Sequence, residues 1–159
     1  AGTLAWPDGR IYTGEFNNGV VEGRGQLSWP SGKKIFGNFK KGLINGQGEI
    51  NHDDGRKYIG DFQNGRKHGK GTFSWPDGRL YMGEFVKDIF QGEGTYIWSN
   101  KDRYQGNFIK GMPQGKGKYI HADGIKFEGI FRDGLPWRGQ EFDQEGRKIR
   151  RYSFGKPVD

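Results

Sequence analysis

Three histidines are the first residues to consider as metal ligands, because the sequence contains no cysteine. His52 and His121 lie 69 residues apart, which is three periods of a 23-residue repeat. With two strands per repeat and about 4.8 Å between strands, these two side chains would be about 30 Å apart, whereas ligands lie about 2 Å from a shared ion. His68 falls in a predicted turn. We therefore predict no metal site and no cofactor.

Two runs rich in glycine and lysine resemble phosphate-binding loops, namely GRKHGKG (65–71) and GMPQGKGK (111–118). A Walker loop has four residues between its first glycine and the Gly-Lys-Ser/Thr group. Here only three residues intervene, and glycine follows both Lys70 and Lys116. Both runs also lead into a predicted strand, so no helix N-terminus would face the phosphates. Nucleotide binding is disfavoured.

Three carboxylates at equivalent positions, those of Glu15, Asp61 and Glu84, are the remaining candidates for acid–base chemistry. General acid–base catalysis needs its groups within hydrogen-bond reach of one another or of the substrate, and no partner is evident near these positions. We expect all three carboxylates on a solvent-exposed polar face. The chain is predicted to be non-enzymatic, with any catalysis confined to a domain outside it.

A period of 23 residues organises the chain. Its first block reads ring-x-Gly-x-Phe, as in Tyr58, Gly60 and Phe62, and it recurs from residue 12 to residue 131 with one change of the ring, to Ile35. The second block reads Gly-x-Gly-x-apolar-x-ring. Its last ring is supplied by Trp29, His52, Trp75, Trp98 and His121. Such regular recurrence is typical of a repeat protein.

Each repeat is predicted to be a β-hairpin, because both blocks alternate residue types with a period of two. The segment Trp75-Pro76-Asp77-Gly78 has the composition of a type I turn. Asn17-Asn18-Gly19 closes the opposite end, where positive φ is favoured. Gly83 shares a face with Tyr81 and Phe85, so its missing side chain leaves a slot that a ring can cover. The predicted fold class is all-β.

The segment YIGDFQNGRKHGKG, residues 58–71, resembles the MORN (membrane occupation and recognition nexus) repeat at every fixed position. The resemblance covers residues 2 to about 142. It implies an elongated single-layer antiparallel sheet of tandem 23-residue β-hairpin repeats, with a groove along one face. It also implies scaffolding, phospholipid contact or peptide binding. Because such repeats occur attached to lipid kinases and to a lysine methyltransferase, a regulatory region of a larger enzyme is an alternative.

Residues 1–142 are predicted to form an array of about six repeats that starts in mid-repeat, and residues 143–159 a degenerate C-terminal cap or segment. The pattern breaks beyond Gly134, because Arg138 and Gln140 occupy the glycine positions and Gly139 is displaced. Terminal repeats are commonly atypical. Since an open sheet exposes its edge strands, a homodimer through this end, near Trp137, is a further expectation.

The aromatic face is the first predicted contact surface, because a single sheet cannot cover it and uncovered apolar strips commonly mark contact sites. A peptide or helix of a protein partner is expected there, and the alternative is that the rings only form the core. The candidate partner-binding residues are Trp29, Tyr58, Trp75, Tyr81, Trp98 and Tyr104. On the opposite face, where chance exposure is the alternative, the residues of a secondary contact strip are Phe36, Ile59 and Met82.

The run GRKIRR near the C-terminus is the second predicted contact surface, in a chain of net charge +7. Basic clusters near a membrane contribute about 1 kcal/mol per charge toward anionic phospholipid. The candidate lipid-binding residues are Arg147, Lys148, Arg150 and Arg151. A solvated tail is the alternative, and nucleic acid is disfavoured because the rings are committed to the fold.

Membrane insertion is not expected, because no apolar run approaches the roughly 20 residues that span a bilayer. A signal peptide is not expected either. We expect a scaffold or adaptor in the cytoplasm, either free or peripheral to a membrane or the cytoskeleton.

Overall fold

The computed structural model describes residues 1–158, which form fifteen β-strands and no helix. The strands make an open antiparallel sheet of hairpins, which confirms the predicted fold class. Within these residues there is consequently no helix that could cross a membrane.

The chain divides into two compact units. The first comprises Ala1–Pro76 and Phe85–Asp88, and the second comprises Asp77–Glu84 and the chain from Ile89 onward, so one strand, β8 (Leu80–Val86), is shared between them. The first unit contains β1 (Gly2–Ala5), β2 (Ile11–Asn17), β3 (Val20–Ser28), β4 (Lys34–Lys40), β5 (Leu43–Asn51), β6 (Lys57–Gln63) and β7 (Arg66–Ser74). The second contains β9 (Ile89–Ile97), β10 (Arg103–Ile109), β11 (Met112–Ile120), β12 (Lys126–Arg132), β13 (Leu135–Phe142), β14 (Lys148–Ser153) and β15 (Lys156–Val158).

Two kinds of turn connect the strands. The predicted type I turn is seen at Trp6, whose carbonyl accepts a hydrogen bond from Gly9 N at 3.0 Å and whose N–H donates to Arg10 O at 2.9 Å. Gly9 has φ +92°, as expected for a three-residue hairpin loop that ends in a bulge. At the other end of the hairpin, Asn18 and Gly19 have φ values of 50° and 77°. These values confirm the predicted positive φ, and positive φ at both central residues is the geometry of a type I′ turn.

The core is a row of tyrosines that lie across pairs of glycines. Gly60 and Gly71 face each other on β6 and β7, and a Cβ at Gly71 would collide with the ring of Tyr58. A Cβ at Gly60 would collide with the backbone of the facing strand. The Tyr58 hydroxyl donates to Asp61 O at 2.6 Å. The predicted slot therefore exists, and the ring that covers it comes from two residues earlier on the same strand.

Phenylalanines join successive tyrosines edge to face. The Tyr58 ring meets Phe62 of its own repeat at 5.0 Å and Phe85 of the next repeat at 5.1 Å, with interplanar angles of 86° and 84°. Tyr104 is held in the same way by Phe108 at 5.1 Å and Phe131 at 4.8 Å. T-shaped pairs of this kind contribute about 0.5–1.5 kcal/mol each beyond the area they bury. The same ring pair joins a repeat to the next one at Tyr12, Tyr58, Tyr81 and Tyr104, whereas the second repeat has Ile35 at this position and makes no such pair.

Two turns keep the left-handed backbone conformation of the repeat although another residue replaces the glycine. Asp88 and Lys101 have φ values of 73° and 75°, in the left-handed region that favours glycine. The Asp88 carboxylate compensates locally, because it accepts a hydrogen bond from Lys67 N at 2.8 Å and pairs with Lys67 Nζ at 3.4 Å. Lys67 itself occupies the position that holds buried Val21 and Ile44 in earlier repeats. Two departures from the repeat therefore face each other as an ion pair.

The antiparallel order of strands continues through β13, which contains a slip of one residue. Gly139 rather than residue 140 faces Gly129, and β13 has eight residues where the equivalent strands have nine. Beyond it, β14 pairs with β13 and β15 pairs with β14. Residues 148–158 of the predicted cap thus extend the antiparallel order, and the boundary after residue 142 stays a prediction.

We expect Gly60→Val to lower the thermal unfolding midpoint far more than Gln63→Val. A side chain at Gly60 must push apart the backbones of β6 and β7, whereas Gln63 is exposed. Overpacking of this kind costs about 1–3 kcal/mol, which is a drop of several degrees in a chain of this size. Circular dichroism during heating measures both variants, and equal shifts would refute the covered-slot account.

Candidate functional site

The second-block rings lie at the margin of the aromatic face, where a strand ends and the type I turn begins. Trp6, Trp29 and Trp75 follow β1, β3 and β7 in the first unit, with His52 after β5. All four side chains are partly exposed. Because the same position recurs in each repeat, these residues form a column across the strands, which we call the tryptophan column. In the second unit Trp98 and His121 occupy the equivalent positions after β9 and β11.

Each tryptophan of the column contacts a neighbouring side chain and remains partly exposed. Lys33 Nζ lies 4.6 Å from the centre of the Trp29 ring, and the Arg10 guanidinium lies 4.9 Å from that of Trp6. Cations at these distances are attracted to the ring face. Trp75 packs on Phe73 at 4.5 Å. These contacts hold the tryptophan rings of the column in place without a bound partner.

The three tyrosines among the predicted partner-binding residues belong to the core instead. Tyr58, Tyr81 and Tyr104 each expose 0% of their surface. Their rings have no area to offer a partner in this conformation, because they cover the glycine slots and contact the phenylalanines. The structure brings Trp29 and Trp75 together in one column of the first unit and places Trp98 in the second. Partner binding at these three tryptophans stays a prediction.

The predicted secondary strip on the opposite face is interrupted. Phe36 and Ile59 expose 36% and 49% of their surface, but Glu49 lies between them as the cross-strand partner of both. Glu49 pairs with Lys57 Nζ at 3.1 Å. Met82, also exposed, belongs to the second unit. A charged row therefore separates the two apolar side chains in the first unit.

Sequence reasoning missed an exposed apolar position that recurs after the type I′ turns of both units. The residue directly after the two positive-φ residues is apolar and about half exposed or more in five repeats. These residues are Val20, Leu43, Ile89, Met112 and Leu135. These apolar residues recur with the 23-residue period and could have been recognised from it. They were overlooked because they directly follow the turns and were assigned to neither face of a strand.

The four predicted lipid-binding residues do not form one surface. Arg147 lies in a turn and pairs with Asp143 at 2.7 Å and Glu145 at 3.1 Å. Arg150 pairs with Glu141 at 3.3 Å, on the face that carries the aromatic core. Arg151 is the cross-strand partner of Gln140, and Lys148 that of Phe142, on the other face. Two of the four cations thus have carboxylate partners.

The recurrent carboxylates lie on an exposed face as expected, with Glu15 exposed and Asp61 and Glu84 partly exposed, but they also have backbone partners that the sequence did not indicate. Glu15 Oε2 accepts a hydrogen bond from Arg24 N at 2.6 Å, and Asp61 Oδ2 accepts one from Lys70 N at 3.1 Å. The strand pairing shifts register at both residues, because each follows a glycine at a β-bulge. These carboxylates complete the hydrogen bonding of the bulge. Within residues 1–158 no group of three histidine or acidic side chains could hold a metal ion.

The sequence matches a family model five times. The model is that of the MORN repeat, and the matched residues are 12–34, 36–55, 58–78, 81–103 and 104–126. No curated protein matches the chain.

Several solved structures are similar to the chain. The TCP domain of SAS-4 (dCPAP) from Drosophila melanogaster, solved in complex with a proline-rich motif of Ana2 (dSTIL), is 11% identical with a TM-score of 0.58. The comparison covers 92% of this chain and 80% of that domain. The wild-type TCP10 domain of Danio rerio CPAP is 18% identical over 95% of this chain and 82% of that one, with a TM-score of 0.37. The first of these similarities shows a shared fold.

Alkaline pH is expected to destabilise the protein through the core tyrosines. Burial raises the pKa values of Tyr12, Tyr58 and Tyr81, and raises the pKa of Tyr104 to about 12. Unfolded tyrosines ionise near pH 10, so the unfolded state loses protons first. The free energy of unfolding should therefore fall as pH rises from about 10 to about 12. Urea unfolding midpoints measured across this range test it, and Tyr104→Phe should reduce the slope. A flat profile would contradict the buried row.

Proposed function

This chain belongs to the MORN repeat family, and on that premise we propose that it is a non-enzymatic binding protein whose tryptophan column receives a peptide of a protein partner. The peptide is extended, contains proline and lies across the strands of the first unit. The observation that carries the proposal is the tryptophan column itself, which presents one partly exposed ring per repeat. Trp and Tyr are the residues most enriched at interface hot spots.

The spacing of the rings suits a polyproline II helix. Two strands about 4.8 Å apart make each repeat about 9.6 Å wide. A polyproline II helix has three residues per turn and rises about 3.1 Å per residue, so equivalent side chains recur about every 9.3 Å. One turn of such a peptide therefore matches one hairpin. The four rings of the first unit, from Trp6 to Trp75, would contact about ten residues of it.

The chemistry of the column suits the same ligand. Proline-rich segments dock in grooves lined by aromatic side chains, and their preformed helix loses little entropy on binding. The indole N–H groups of Trp6 and Trp29 have no hydrogen-bond acceptor among residues 1–158, and indole N–H is a donor only. The backbone carbonyls of a polyproline II helix are unpaired acceptors. The complex of the similar Drosophila TCP domain with a proline-rich motif supports this ligand class.

Catalysis by these residues is disfavoured, since the recurrent carboxylates already accept hydrogen bonds from the backbone. The protein partner would be bound rather than converted, which is the role of a scaffold or adaptor.

A fluorescently labelled twelve-residue peptide with proline at every third position tests the proposal by anisotropy titration. Replacing both Trp29 and Trp75 with alanine should weaken binding at least about 30-fold, because a single hot-spot residue already contributes about 2 kcal/mol or more. The matched control replaces Val20 and Leu43, which are also exposed and apolar, and should change the affinity less than about twofold. Circular dichroism confirms that both variants fold. Equal loss in both variants, or no loss in either, would refute the tryptophan column as the site.

Binding to an anionic membrane is the second candidate function, and one observation favours it. Successive cross-strand partners on the face of the second unit opposite the tyrosines alternate between apolar and cationic side chains. In order from β9 to β14 they are Ile97, Arg103, Ile120, Lys126, Phe142 and Lys148. Cations about 10 Å apart with apolar groups between them can meet lipid headgroups and the adjoining acyl boundary.

Flotation with phosphatidylserine-containing vesicles tests this second candidate. Lys126→Ser with Lys148→Ser removes two charges of the row and should weaken salt-sensitive binding about 30-fold, at about 1 kcal/mol per charge. The control Arg147→Ser with Arg150→Ser removes the same charge from residues that already pair with carboxylates. Its effect should be smaller. Absence of binding at low salt, or a larger loss in the control, would exclude this face.

A further inference from the structure

The one-residue slip in β13 places a carboxylate in a row whose preceding members are all uncharged. On the core face of the first unit the cross-strand row runs through Tyr12, Leu27, Ile35, Ile50, Tyr58 and Phe73. The equivalent row of the second unit runs through Tyr96, Tyr104, Tyr119 and Phe127, and then reaches Glu141 and Arg150. Because a shift of one residue exchanges the faces of a strand, Glu141 faces the core side, and Phe142 faces the other.

Glu141 lines a cavity of about 270 Å³ in the second unit. Its other walls include the side chains of Tyr119, His121, Phe127 and Tyr152, with Leu135 at the adjoining turn. The rings are mutually fixed, because Tyr119 lies 4.8 Å from His121 and Phe127 lies 5.3 Å from Tyr152 in a T-shaped pair. The cavity is therefore bounded by four rings and one carboxylate.

The carboxylate is held in place and is largely buried. The Glu141 side chain is 16% exposed, and its partner Arg150 is 50% exposed. Gln140 Nε2 donates to Glu141 O at 2.9 Å and to Arg150 O at 2.8 Å, which fixes the two backbones. Arg150 is not part of the cavity lining. One side of the Glu141 carboxylate thus faces a cation, and the residue also borders an aromatic cavity.

We propose that this cavity binds the alkylated ammonium group of a lysine side chain from another protein, with Glu141 as its counter-ion. The negative faces of aromatic rings attract a cation, and quaternary ammonium groups are recognised by such cages. The carboxylate adds a full charge where burial weakens solvent screening. The volume is below the roughly 300 to 1,000 Å³ of sites for drug-sized ligands, which suits a single side chain. The proposal is independent of the peptide site on the first unit.

The proposal predicts that replacing Glu141 and replacing Arg150 have opposite effects on the affinity for the ammonium group. Glu141→Gln removes the counter-ion while keeping its shape, so ammonium binding should weaken about tenfold. Arg150→Gln removes a competing cation, so binding should tighten about twofold to fivefold, the range expected for a partly exposed pair. A purely structural ion pair would weaken binding in both variants.

The probe is the N-acetyl methylamide of Nε-trimethyl-lysine, titrated into the full chain and followed by NMR shifts of the ring protons. Its neutral isostere, with a tert-butyl group in place of trimethylammonium, should bind at least tenfold more weakly, because it has the shape but not the charge. Lys116→Ser, on the face of β11 opposite Tyr119, is the matched control and should not change the affinity. Equal binding of the isostere, a decrease with Arg150→Gln, or shifts confined to rings outside the cavity would each overturn the proposal.

Discussion

The contact between a tyrosine ring and two facing glycines is the constraint on which the rest of the structure depends. The Tyr58 ring occupies the space that side chains at Gly60 and Gly71 would need, and its hydroxyl donates to the Asp61 carbonyl. The same arrangement recurs at Tyr12, Tyr81 and Tyr104. It gives a chain with only 31% hydrophobic residues and a mean hydropathy of −0.94 a buried aromatic core. The facing glycines therefore provide the space that each core tyrosine ring occupies.

This constraint separates two classes of ring that look alike in the sequence. Tyr12, Tyr58, Tyr81 and Tyr104 are fully buried because their slots lie mid-strand, whereas the tryptophans of the column stand directly after strand ends, where no glycine pair receives them. Interface chemistry can therefore reside on the tryptophans without weakening the core. The same reasoning explains why the slip at Gly139 matters: it keeps the glycine pairing with Gly129 but exchanges the faces of the residues that follow.

Periodicity was sufficient to predict the hairpins, both turn types and the glycine slots, because these depend on residues a few positions apart. It could not predict which rings are buried, since Tyr58 and Trp75 both belong to the aromatic face in the sequence pattern. Only the structure shows that a pair of glycines receives the Tyr58 ring and that none receives the ring of Trp75. The backbone partners of Glu15 and Asp61 were missed because they depend on a bulge register. The pairing of Lys67 with Asp88 was also missed, since each residue alone appears only as a departure from the repeat.

The most direct test of this division of roles uses the five tryptophans as natural probes. The indole N–H signals and the backbone amide signals of Val20 and Leu43 are followed by heteronuclear NMR while a twelve-residue peptide with proline at every third position is titrated. The account predicts that the signals of Trp6, Trp29 and Trp75 shift together. Trp137, outside the column and packed against Phe154, should stay in place. Unmoved column signals, with shifts at Val20 and Leu43 instead, would contradict it.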